Sequence, residues 1–338
     1  MPGIRAFSKV QLGKETTPGT NVAATTVWRG TGFIKDDIEV TFPEETIGIL
    51  SGTDRTYISK YGATLELSGD LTFEQFGHIG NAGIKNVTPT TDASSAFIWT
   101  WNFPIQTTDA VATTDLTTIS VEGGDNQQAE EFSYGYVPEF TIEGNAGEAA
   151  TIAAVVKGRQ VANTTFSAAT VPAVESVLVS KGYMYADPVT DTVGTTALSQ
   201  TLLAFSLSVA TGWKEIQAAD GSLDFSFIKQ TMPEITLEVT FEHNATSVAE
   251  KGYWRNQTPR QLRLKFIGSA LTTTDAGAAY DTKTFIVDLV GKWESFDVLD
   301  EQDGNNIIKG TFRARYNSNV ATYFARFIVA NEVGTTMP

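Results

Sequence analysis

Apolar residues along this chain recur mostly at every second position, as in strands with one buried face. Residues 97–103 (FIWTWNF) set Phe97, Trp99, Trp101 and Phe103 on one side and Ile98, Thr100 and Asn102 on the other, so the aromatic face is a core or an interface wall. Residues 233–241 (PEITLEVTF) turn Ile235, Leu237, Val239 and Phe241 inward and Glu234, Thr236, Glu238 and Thr240 outward. Similar patterns predict strands over 38–42, 63–68, 116–121, 132–143, 149–157, 177–185, 203–210, 223–229, 261–267, 285–290, 295–299, 307–316 and 323–331. Helical spacing is confined to 69–83, through Leu71, Phe73, Phe76 and Ile79, and to 246–257. Glycine-bearing turns at 144–147 and 218–221 punctuate the strands.

One phrase occurs twice. Residues 63–68 read ATLELS and residues 235–240 read ITLEVT, each followed by a candidate short helix, alternating strands and a hairpin ending in a long strand. The pattern predicts a mainly β chain of two tandem units: an extended N-terminal arm over 1–30, a first module over 31–170 and a second over 171–338, with a loose Ala- and Thr-rich stretch at 162–174. Residues 11–26 (QLGKETTPGTNVAATT) have little apolar periodicity and are expected to run extended over a surface, although the same composition suits a disordered terminus. Residues 44–60, punctuated by Gly48 and Gly52, read as a hairpin or a loop.

Composition changes the picture in three ways. At 338 residues the chain is long enough for two domains that each bury a core. The absence of cysteine excludes disulfides, thiolate zinc sites and cysteine nucleophiles. A net charge of −15, with 10 basic and 20 acidic residues in 1–170 and 14 and 19 in 171–338, opposes binding of nucleic acid or anionic membrane. The N-terminus lacks the apolar core of a signal peptide and no run approaches the roughly 18 apolar residues of a span, so a chain made and kept soluble in the cytoplasm is expected.

Candidate chemistry is sparse. His78 and His243 stand in different modules with no second imidazole nearby in sequence. The acidic segment DEQDGNN at 300–306 lacks the glycine offset and closing glutamate of a calcium loop and reads better as an Asp-Gly hairpin turn. GHIGNAG at 77–83 does not fit dinucleotide spacing. Asn-x-Thr triplets at Asn86, Asn163, Asn244 and Asn256 carry no weight without a secretion signal. Arg260, Arg263 and Lys265 share a strand, where pairing with acids explains them better than phosphate binding in so acidic a chain. No catalytic residue, metal ligand or cofactor is expected.

The opening Gly13-Lys14-Glu15-Thr16-Thr17-Pro18-Gly19-Thr20, followed by Val22-Ala23-Ala24-Thr25, resembles the start of many tail tube (major tail) proteins of long-tailed bacteriophages. The likeness continues, as pattern and order, in the acidic strand at 39–48, the strand, glycine turn and strand of 132–159, and the ending from Asp303-Gly304 to Asn331. It implies β-sandwich or half-barrel modules with one flanking helix each, joined by their sheets into a ring around a DNA channel. The chain is longer than single-module relatives, so three chains would make a pseudo-sixfold ring, with a homohexamer as the alternative. The arm, with Gly13, Lys14, Glu15, Thr16 and Pro18, and the loop at 44–60 become candidates for stacking ring on ring. Outward carboxylates such as Glu66, Glu143, Glu238 and Asp288 become candidates for an acidic lumen wall that lets DNA slide. The implied partners are further copies of the chain, a tape-measure protein in the lumen, terminator and distal tail proteins, and DNA in transit, with no membrane binding; the implied location is the virion.

Two other classes fit parts of the pattern. A secreted or surface β-sandwich binding module would explain the Thr-rich strands and predicts a signal peptide and a monomer. A carbohydrate-active enzyme would use exposed tryptophans such as Trp99, Trp213, Trp254 and Trp293, beside two carboxylates at a suitable separation.

Overall fold

The computed structural model describes residues 3–105, 116–320 and 322–334. The first half of the chain supplies β1 (Lys9–Lys14), β2 (Thr26–Val27), β3 (Ile34–Asp36), β4 (Glu39–Thr41), β5 (Tyr57–Lys60), β6 (Ala63–Asp70), helix α1 (Phe76–Gly83), β7 (Thr90–Thr91), β8 (Phe97–Asn102), β9 (Ile119–Gly124), β10 (Ala129–Asn145), β11 (Thr151–Gly158) and β12 (Ala162–Thr164). The second half supplies β13 (Gly182–Pro188), β14 (Leu202–Ala210), β15 (Trp213–Ile216), β16 (Phe227–Gln230), β17 (Glu234–Glu242), helix α2 (Ala245–Arg255), β18 (Arg260–Ala270), β19 (Thr282–Phe296), β20 (Asp300–Gln302), β21 (Asn305–Ala314) and β22 (Ala325–Asn331). The mainly β expectation holds.

A large antiparallel sheet runs in the order β3-β6-β11-β10-β14-β17-β21-β19. A second runs β13-β18-β19-β22-β8-β7, and a smaller one β2-β1-β9-β10-β12. The two long strands connect these layers. The N-terminal part of β10 pairs with β9 and its C-terminal part with β11 and β14; the N-terminal part of β19 pairs with β18 and β22, and its last residues with β21. Each pairs irregularly near the crossing, between Tyr136 and Glu139 and between Trp293 and Ser295, as bulges do where a strand bends from one sheet to another.

The ladders around α2 repeat those around α1. β1–β9, β9–β10, β10–β11, β11–β6 and β6–β3 have as counterparts β13–β18, β18–β19, β19–β21, β21–β17 and β17–β14. Each half also inserts a two-stranded hairpin before its repeated phrase, β4–β5 in one and β15–β16 in the other.

Between the layers lies one continuous apolar core to which both halves contribute, including Leu65, Phe140, Leu207, Leu237, Phe312, Trp101, Phe285 and Phe327. Phe76 of α1 stands edge-on to Trp101 at 5.4 Å and to Phe285 at 5.0 Å. Helix α1 comes this close because Gly80 has no side chain: a Cβ there would sit 2.7 Å from the Trp101 ring. Strand β8 lies in the first half by sequence, yet it pairs with β22, so the divide near residue 170 separates neither the sheets nor the core.

Helix α2 starts where the Asn244 carboxamide accepts from Thr246 N at 2.9 Å and Ser247 N at 3.0 Å, with Ser247 Oγ returning to Asn244 N, a capping box. Its buried Glu250 accepts from Arg260 Nη2 at 2.7 Å and Trp293 Nε1 at 2.9 Å, while Tyr253 lies against the guanidinium. The acidic segment at 300–306 forms the expected hairpin, with Gln302 opposite Asn305 and positive φ at Asp303 (53°) and Gly304 (83°), the backbone of a type I′ turn. Among the described residues no helix is long and apolar enough to cross a membrane.

Candidate assembly surfaces

The outer face of the large sheet is polar from one end to the other. Alternation that sends Leu65, Phe140, Ile142, Leu237 and Val239 into the core sends Glu66, Glu139, Glu143 and Glu238 outward, where all four are exposed among Ser and Thr. Lys35, Lys157, Lys292, Lys309 and Arg313 bring positive charge to this face. A shallow concavity of about 550 Å³ lies over β10, β14, β17 and β21, lined in part by Glu143, Glu238, Asp297 and Lys309. Three of the four expected wall carboxylates, Glu66, Glu143 and Glu238, therefore share one surface.

Asp288 does not join them. It sits on β19 in the second sheet, fully buried, with Arg263 Nε at 2.6 Å and Arg326 bridging from the opposite neighbour. Burial works against the Arg263 charge, and the hydrogen bonds and charge of Asp288 more than offset it, leaving the guanidinium pKa raised. Asp288 points away from the core as its alternation predicts, but neighbouring Val290 packs under Val189 and Tyr323, so that outer face is covered. The arginines at 260 and 263 are likewise held inside the chain, by Glu250 and Asp288.

The expected stacking arm is folded into the body. Gly13 and Lys14 end β1 opposite Ser120 and Ile119 of β9. Glu15, 4% exposed, accepts from Thr118 Oγ1 at 2.6 Å, Ser120 Oγ at 2.9 Å, Tyr134 N at 2.8 Å and Gly19 N at 2.7 Å. That carboxylate fastens the turn containing Thr16 and half-buried Pro18 to the sheet, leaving Lys14 and Thr16 exposed. The loop at 44–60 does project, with Ile47, Ile49 and Leu50 exposed.

Where the halves meet in the large sheet, β10 and β14 pair from Glu139 opposite Ala210 to Asn145 opposite Ala204, with Ile142 and Leu207 facing each other at 1% and 0% exposure. The β15–β16 hairpin reinforces this join. Its Trp213, Phe225 and Ile228 form a small buried cluster with Tyr134 and Tyr136 of β10. Arg159 lies over the Tyr134 ring at 4.6 Å and donates to Phe225 O at 3.1 Å and Ser226 O at 3.0 Å, and Lys60 pairs with Glu215. Burial, helped by the Glu215 charge, pushes the Tyr136 phenol well above its ordinary pKa.

The two ends of the large sheet have no such cover. At one end β3 pairs only with β6 among the described residues, and next to it the β4–β5 hairpin exposes Ile38, Val40, Phe42, Tyr57 and Ile58. At the other end the chain leaving β19 exposes Val298 (85%) and Leu299, beside a groove of about 350 Å³ lined by Lys292, Glu294, Arg313, Arg315 and Tyr316 among others. Sequence reading missed both ends, since nothing in strand alternation says whether a border is paired.

Of the tryptophans invoked for sugar binding, Trp99, Trp213 and Trp293 are interior, at 2%, 3% and 1% exposure, and half-buried Trp254 packs on Phe296. Among the described residues no group of three or more His, Asp and Glu side chains is placed to hold a metal ion. His78 is a buried residue of α1. No protein-family model matches the chain, and no curated protein matches it.

Proposed function

We infer that this chain is a tail tube subunit of a long-tailed bacteriophage, which assembles with copies of itself into stacked rings around a channel for genomic DNA. The observation that carries the reading is a large sheet, polar and acidic on its outer face, whose two ends, β3 and the last residues of β19, pair on one side only among the described residues, while its middle is joined by strand pairing of the kind a ring would need between chains. Free edges invite another strand, and a closed ring of sheets removes them. The repeated ladders support two tandem modules per chain, so three chains would complete a pseudo-sixfold ring.

In that ring the face bearing Glu66, Glu143 and Glu238 lines the lumen. DNA carries a phosphate charge about every 1.7 Å of its axis, and a wall of carboxylates repels it and leaves it free to move. A tape-measure protein would occupy the lumen before DNA does, and terminator and distal tail proteins would close the ends. The exposed loop at 44–60 is the remaining candidate for contacts between rings. Negative-stain microscopy of the purified protein tests the assignment: hollow rings or filaments are expected, and a compact monomer at every concentration would contradict it.

A further inference from the structure

The join inside one chain specifies the join between two chains. The repeated phrase makes Leu65 of β6 the counterpart of Leu237 of β17. Leu65 lies opposite Ile34, and Leu237 opposite Leu207. Ile34 at the free edge is therefore the counterpart of Leu207 at the internal join.

The other side follows in the same way. Ile142 lies opposite Ile152, which lies opposite Gly69; the counterpart of Gly69 is Phe241, which lies opposite Ile308. Carried one step beyond the Asp297 N to Lys309 O bond of 2.9 Å, the register that sets Phe296 opposite Gly310 brings Val298 to Ile308, before one extra residue in the chain sets Asp300 opposite Ile307. Val298 at the other free end is the counterpart of Ile142.

Resting on the reading of this chain as a self-assembling subunit, we propose that residues 295–299 of one copy pair antiparallel with residues 33–37 of the next, with Val298 opposite Ile34 and Asp297 opposite Lys35. Backbone polarity is compatible with this register. Thr31 N donates to Ser68 O of β6 at 2.7 Å and Asp37 N to Gly62 O just before β6 at 3.0 Å, so alternation turns the N–H and C=O groups of Ile34 and Asp36 to the open side. Asp297 N is directed to β21, which turns those of Phe296 and Val298 outward. The outward groups meet as hydrogen-bonded pairs, Val298 with Ile34 and Phe296 with Asp36, and Asp297 meets Lys35 with opposite charge.

A second contact follows from the hairpins. Trp213 opposite Gln230 in β15–β16 has Val40 opposite Ile58 as its counterpart in β4–β5. Inside the chain the β15–β16 hairpin is held by Arg159, two residues beyond Lys157, which lies opposite Thr64. Arg313 lies opposite Thr236, the counterpart of Thr64, so the counterpart of Arg159 is Arg315, which is exposed at the open groove beside Tyr316. The β4–β5 hairpin of the next copy docks in that groove and covers Val40 and Phe42, which are 46% and 69% exposed in the isolated chain. The two patches are different surfaces of one molecule, so the contact is head-to-tail and closes only by going round a ring.

The chain has no cysteine, so a Lys35→Cys, Asp297→Cys variant carries only the two thiols of interest. Opposed positions outside the hydrogen-bonded pairs lie about 4.5 Å apart between Cα atoms, within disulfide range. Mild oxidation of the assembled variant is expected to link chains into multimers that separate on reduction, while each single variant stays unlinked. Hollow particles without links would overturn the register and leave the tube reading standing; a wild-type chain that never associates would overturn both. Val298→Asp and Phe42→Asp change side chains exposed in the isolated chain, so each is expected to raise the concentration needed for assembly about tenfold or more with the unfolding midpoint unchanged. Unaltered assembly of both would also overturn the proposal.

Discussion

Glu250 shows how much one buried side chain carries. At 2% exposure it accepts from Arg260 and Trp293, tying α2 to β18 and β19. Glu250→Ala leaves a buried guanidinium unpaired, and a loss of about 3–5 kcal/mol is expected in denaturant unfolding. Asp187 and Glu175 contribute to the response to acid. Burial pushes both carboxyls up, but hydrogen bonds from Thr195, Thr196 and Gly194 on Asp187, and from Ser269 with the Lys283 charge on Glu175, outweigh it and hold both pKa values below the ordinary range. A carboxyl whose folded pKa is depressed stabilises the fold above its unfolded value, near 4, and loses that contribution as pH falls through the folded value. Thermal midpoints are therefore expected to hold between about pH 5 and 7 and to fall below pH 4, and Asp187→Asn is expected to flatten that fall. Alternation alone set Asp288 beside Glu66, Glu143 and Glu238, but whether a sheet's outer face is wet depends on loops that cross it, and Val189 and Tyr323 leave no periodic mark.

Elements with one clean wet face were the most legible. The strands at 233–241 and 97–103 and the helix at 246–257 lie close to their predicted places, as Glu234–Glu242, Phe97–Asn102 and Ala245–Arg255, whereas the helix read over 69–83 begins only at Phe76, is buried on every side, and leaves its first two residues to β6. Strand β19 was read as two pieces because from Thr284 to Gly291 every residue is buried, which erases alternation, and its bulge shifts the phase near Trp293. Strand β1 was missed for the same reason: Val10, Gln11, Leu12 and Gly13 are all buried, so a covered strand looks like an irregular arm. The Asn244 cap was written off as a glycosylation triplet, and its place before α2 is what reveals its role. Asn244→Ala is expected to cost about 1 kcal/mol of stability, read from the denaturant midpoint, without changing assembly.

At the scale of the whole molecule, the ladders around β6 and β17, which carry ATLELS and ITLEVT, follow the same order, each with a crossing strand and an inserted hairpin. What the sequence could not disclose is that one half's border is already occupied by the other while the outer borders stay open. The charge of the outer face gives a separate prediction. Assembled wild-type protein is expected not to retain double-stranded DNA, whereas a Glu66→Lys, Glu143→Lys, Glu238→Lys variant retains it in a sedimentation assay and releases it as salt rises. The central claim is that chains holding two like units close a hollow ring through their free sheet ends. End-on averaging of assembled particles by electron microscopy tests it most directly: the account predicts an open bore ringed by six similar lobes that belong to three chains, and a solid particle, or a chain that stays single at every concentration, would contradict it.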